Sequence, residues 1–112
     1  MRKKYVGIRE TSGCFVFTPQ NQLLDLRLDL CNHSPTGFNW GYDGGSGSAQ
    51  LALALLAWHL HAVHCNVRAD QRALELYQQF KWDVIARLPD ERWELTLTEV
   101  NAAISRIEEA QP

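Results

Sequence analysis

Residues 48–63, SAQLALALLAWHLHAV, carry alanine and leucine on nearly every side. A helix of that composition is stable in water only where neighbours cover most of its surface, so it belongs at the centre of the fold. The rest of the 112-residue chain must supply that cover. The length suits one core and not two, so a single domain over residues 1–112 is expected.

Downstream, DQRALELYQQFKWDVIARL (residues 70–88) places Ala73, Tyr77, Phe80, Val84 and Leu88 at spacings of three and four, with Leu74 and Ile85 widening the stripe. That predicts an amphipathic helix, with Asp70 positioned to cap its start. Pro89 and Asp90 end it, and WELTL is a candidate for a short strand. Thr96 and Glu99 then form a capping box for a last helix whose stripe is Leu97, Val100, Ile104 and Ile107.

Upstream, KYVGIR and CFVFT are rich in aromatic and β-branched residues and are joined by ETSG, which predicts a β-hairpin. In LLDLRLDL (residues 23–30), Leu24, Leu26, Leu28 and Leu30 alternate with Asp25, Arg27 and Asp29, the pattern of a strand with one wet face. Asp25 and Asp29 would lie about 13 Å apart on such a strand, too far to act together on one bond. The expected fold is α+β: a small antiparallel sheet of three or four N-terminal strands packed on a central apolar helix, with two further helices.

Composition narrows the function. Apolar residues are 46% and charged residues 21% of the chain, as in a soluble globular protein and unlike a disordered one. A net charge of −2 gives no general attraction to phosphate backbones, and Arg2, Lys3 and Lys4 make too short a basic cluster, so nucleic acid is not the expected partner. No apolar run reaches the roughly 20 residues needed to span a bilayer, and no signal-like start is seen, so a cytoplasmic protein without membrane attachment is expected. Cys14, Cys31 and Cys65 are odd in number and irregular in spacing, which argues for reduced thiols.

Between Cys31 and Gly47 the periodicity breaks, with Pro35 and five glycines, so a long loop runs into the central helix. Its aromatics, Phe38, Trp40 and Tyr42, argue for order. At the helix start, Gly45, Ser46, Gly47 and Ser48 admit two readings. They could present backbone N–H groups to an anion, or they could let a buried helix turn tightly with Ser46 or Ser48 as its cap. The segment is neither the dinucleotide pattern, since Gln50 stands where a third glycine belongs, nor a P-loop, since no lysine follows.

His33 and Ser34 are adjacent, and neighbours on an extended chain point apart, so a nucleophile–base pair is not expected; bonds within the loop are. No G-x-S-x-G elbow occurs. His61, His64 and Cys65, with Cys31 and His33 leading into the same helix, are ligand types for zinc, but no paired C-x-x-C or H-E-x-x-H spacing is present, and no metal or other cofactor is predicted. Tyr77 and Phe80 lie on the core stripe, while Lys81 and Trp82 fall partly off it.

The segments LDL, NHSPTGFNWGY, GGSG, AQLALALL and FKWDVIARLP resemble those of a family of small uncharacterised bacterial, phage and plasmid proteins, from about Tyr5 to Trp93. That family is marked by its motif and not by an activity. The resemblance implies a shared fold and a shared loop, and draws attention to His33, Ser34, Phe38, Trp40 and Tyr42. Members of the family usually have proline where Ser48 stands, and an acidic, histidine-poor stretch where HLHAVHC stands. The expected function is a non-enzymatic interaction protein of a mobile genetic element, binding a host protein and inhibiting a defence system in the bacterial cytoplasm. The alternative is a protein that binds a small molecule or nucleotide phosphate at the Gly-Ser turn.

Overall fold

A computed structural model describes residues 3–111. Strands β1 (Lys4–Glu10) and β2 (Gly13–Phe17) form the predicted hairpin. Helix α1 (Gly45–Ala62) follows a long loop, then α2 (Ala69–Asp83), a 3₁₀ turn (Ile85–Arg87), β3 (Arg92–Thr96) and α3 (Leu97–Ala110). The fold is α+β, with an antiparallel three-stranded sheet of order β2-β1-β3 and three helices.

The third strand comes from WELTL and not from LLDLRLDL. Along β3 Trp93 and Leu95 point inward while Arg92, Glu94 and Thr96 face out, the period of a half-buried strand. Residues 23–30 have the same alternation, yet only Leu23 bridges to the sheet, at Phe17. The reason is local. The Asp25 carboxylate accepts the Arg27 N–H at 2.7 Å, Arg27 adopts φ +54°, and the Leu30 N–H turns back to the Arg27 carbonyl. Aspartate side chains that capture nearby backbone donors compete with a sheet ladder, and here they win. The Arg27 guanidinium then ties the turn to Asp29 and to Asp70 of α2.

Asp70 therefore does not cap α2. It sits inside the first turn, and the Asn66 side chain accepts the Arg68 N–H just ahead of the helix. The α2 stripe is Ala69, Ala73, Leu76, Tyr77 and Phe80; Leu74 is 41% exposed, and Leu76 takes its place in the core. The Thr96–Glu99 capping box is present with both bonds, and Val100, Ile104 and Ile107 are buried as expected.

Helix α1 is buried from Gly47 to Ala57 without a break. It begins at Gly45, three residues ahead of the apolar run, and neither Ser46 nor Ser48 caps it: the N-cap is Gly44, with no side-chain bond. Close approach explains the glycine at 47, where a Cβ would lie 2.5 Å from Asn39 Cβ and 2.8 Å from its backbone nitrogen. On the sheet, Gly7 is paired with Trp93, and a Cβ there would enter the indole at 2.1 Å, so the ring lies across the glycine.

Candidate functional site

The loop from Cys31 to Gly44 is held by one side chain from the helix it precedes. Gln50, fully buried, accepts the His33 and Ser34 N–H groups on Oε1 (2.8 and 3.1 Å) and donates from Nε2 to the Leu26 and Cys31 carbonyls (2.6 and 3.0 Å). All four hydrogen-bonding positions of the amide are filled, so the loop is ordered from within the core.

His33 and Ser34 do not pair. The His33 Nε2 lies 2.8 Å from the Tyr77 hydroxyl and 3.3 Å from Cys31 Sγ, while Ser34 Oγ donates to the Gly37 carbonyl at 2.7 Å. Both residues tie the loop down, as the sequence suggests, though the histidine does so through α2. Phe38 is half-buried against the core.

Trp40 is buried at 2% exposure. Its Nε1 donates to the Asp90 carbonyl at 2.9 Å, its ring meets Trp93 edge-on at 5.5 Å, and the Arg9 guanidinium stacks on it at 5.0 Å. Arg9 also donates to Asn39 Oδ1 and to Cys14 Sγ, fastening the loop to the hairpin. After Trp40 the chain turns outward.

Tyr42 is 80% exposed. Its ring lies 6.2 Å from that of Trp82, itself 51% exposed on α2, and Lys81 Nζ sits 4.5 Å above the Trp82 ring. A small cleft of about 40 Å³ runs between them, floored by Gly41, Gly45 and Ser48. On the other flank of the same helix start, a groove of about 400 Å³ is bounded by the hairpin turn and by Ser34, Thr36, Gly37, Ser46 and Gly47. Gly45 and Ser46 are exposed, whereas Gly47 and Ser48 are buried with their N–H groups bonded to the Gly44 carbonyl.

A family model matches residues 5–106, from the hairpin through the loop, α1, α2 and β3 into α3. The chain belongs to DUF6166, a family of unknown function. No curated protein and no solved structure matches it. The matched span includes every residue of the loop and both exposed aromatics.

Among the described residues, no three His, Cys, Asp or Glu side chains cluster as they would to hold a metal ion, and no helix is long and apolar enough to cross a membrane. His61 and Cys65 are exposed, Cys31 and His33 belong to the loop, and His64 turns toward α3. Sequence reasoning passed over Gln50, Arg9 and Asn39. A glutamine inside an otherwise apolar buried run was the available signal, because a polar group there requires partners.

Proposed function

We propose that this protein is a non-enzymatic interaction protein that binds another protein through the surface around Tyr42 and Trp82. The observation that carries this reading is the exposure of two large aromatic rings side by side, Tyr42 on a loop that is otherwise locked to the core and Trp82 on α2. Tyr and Trp give much contact area for little loss of side-chain freedom, and rigid support lowers the ordering cost of binding. The polar groups of the loop favour it too, since the side chains of His33, Ser34 and Asn39 are already engaged, with Tyr77, the Gly37 carbonyl and Arg9. On the resemblance of the motif to mobile-element proteins, we take the partner to be a host protein of the bacterial cytoplasm, a defence component that the chain inhibits.

Tyr42→Ala, Trp82→Ala and the double variant, compared with the parent in cross-linking and co-purification from host lysate, test this. The parent should retain a partner that the double variant loses while its circular dichroism is unchanged. Equal recovery with both proteins overturns the choice of surface.

A second reading has its own observation, the groove of about 400 Å³ beside the exposed Gly45 and Ser46. The first N–H groups of a helix have no acceptor within it, which favours a phosphate or carboxylate beside the start of α1. Nucleotides and inorganic phosphate should then raise the melting temperature in proportion to ligand concentration over Kd. No shift across the panel removes it.

A further inference from the structure

The far end of α1 carries a side-chain cluster that the loop does not use. His59, on the last turn, is fully buried. The His64 N–H bonds back to the His59 carbonyl at 3.2 Å, which curls the chain over the helix end and sets the two rings edge to face, centroids 5.0 Å apart. Both Nε2 atoms lie 2.7 Å from a single atom, Oδ1 of Asn101 on α3. An amide oxygen that accepts from both rings fixes their protons on Nε2, so the Tyr5 hydroxyl donates to His59 Nδ1 at 2.7 Å.

Two imidazoles that converge on one side-chain oxygen can supply three of the four ligands of a tetrahedral divalent metal ion. With Zn–N bonds of about 2.0–2.1 Å and a ring centre about 1.1 Å behind each nitrogen, two ligands at a near-tetrahedral angle have centroids about 5 Å apart. The observed spacing is 5.0 Å. The carbonyl end of α1 adds negative potential, which favours a cation.

We propose that His59 Nε2 and His64 Nε2, with the Asn101 side-chain oxygen, form a site for a divalent metal ion of the zinc, cobalt and nickel class. On binding, each neutral ring keeps one proton, which moves from Nε2 to Nδ1, and Asn101 shifts from hydrogen-bond acceptor to oxygen ligand. The His59 Nδ1–H then donates to the Tyr5 oxygen, an outer partner of the kind that orients ligand imidazoles. The Tyr5 hydroxyl hydrogen loses its buried acceptor in that exchange, which keeps the affinity below that of a four-ligand structural zinc site. His64 is exposed, so the ion enters from its side.

The test is titration of the tag-free full chain with Co²⁺, followed by visible absorption and displacement with Zn²⁺. One equivalent should bind with the intense ligand-field bands of a near-tetrahedral ion. His64→Ala should weaken binding more than about tenfold. His64→Gln, which can still donate to Asn101 and so preserves the fold contact, should show the same loss. His61→Ala and Cys65→Ser should bind as the parent does. Absence of a saturating band, parental affinity in either His64 variant, or loss in Cys65→Ser or His61→Ala overturns the proposal.

Discussion

The two ends of α1 are fixed by different means. At the N-terminal end the contacts are to backbone: Gln50 reaches back to four main-chain groups, and Gly47 lets Asn39 lie directly on the helix. At the C-terminal end they are between side chains, with Tyr5 of β1, His59 and His64 of α1 and its exit, and Asn101 of α3 in one chain of bonds. Backbone anchoring specifies the path of a loop whatever side chains it displays, which leaves Tyr42 free to face solvent. Side-chain anchoring couples the fold to protonation, because an imidazole can change charge and a peptide group cannot.

The contrast can be broken most severely at Gln50. Gln50→Ala strands the His33 and Ser34 N–H groups and the Leu26 and Cys31 carbonyls, some of them away from water, and should cost about 4 kcal/mol in urea denaturation. A loss below about 1 kcal/mol would show that the loop holds itself.

Acid attacks the other end. His59 has a folded pKa lowered to about 4, chiefly by burial, against an unperturbed 6.5. Between those values the unfolded chain binds the extra proton, so the histidine's contribution is complete above pH 6.5 and lost as the pH falls toward 4. Denaturation midpoints across that window should fall by an amount equivalent to about 3 kcal/mol. A flat profile would mean that the site admits water or a proton without opening.

Smaller effects separate support from display. Gly47→Ala forces a methyl against the Asn39 backbone and should cost about 2 kcal/mol. Tyr42→Ala should change stability by less than about 1 kcal/mol, since the ring is 80% exposed and its one aromatic neighbour is also wet, yet it should abolish partner binding. A Tyr42 variant that unfolds readily would assign that ring to packing.

Much of the architecture was legible because it follows from local pattern. The KYVGIR and CFVFT hairpin, the Thr96–Glu99 capping box and the all-round apolar helix each need only a few adjacent residues to be recognised, and each is present. LLDLRLDL misled because alternation alone does not say whether backbone donors will meet a neighbouring strand or the nearest aspartate. Ser46, Ser48 and Asp70 misled in a related way: each is a good capping residue, but the chain around it spends that position on Gly44, on the Gly41 carbonyl and on Arg27.

The candidate site was half legible. The loop from His33 to Tyr42 stands out because neither a helix nor a strand accounts for its residues, and the core-stripe position of Tyr77 and Phe80 agrees with their burial. What the sequence hides is the sorting within the loop. Trp40 and Tyr42 are two residues apart and chemically alike, yet one is sealed under Arg9 against Trp93 and the other is left in solvent beside Trp82. The pairing of His59 with His64 through Asn101, 37 residues beyond the second histidine, is equally invisible in a linear reading.

By itself the sequence determined which segments must be buried, since periodicity and composition record how much apolar surface each has to hide. Only the tertiary structure decided which polar and aromatic groups meet. Those pairings depend on how close separate segments come and on which of several satisfactory partners lies nearest, and neither is written in the spacing of residues along the chain.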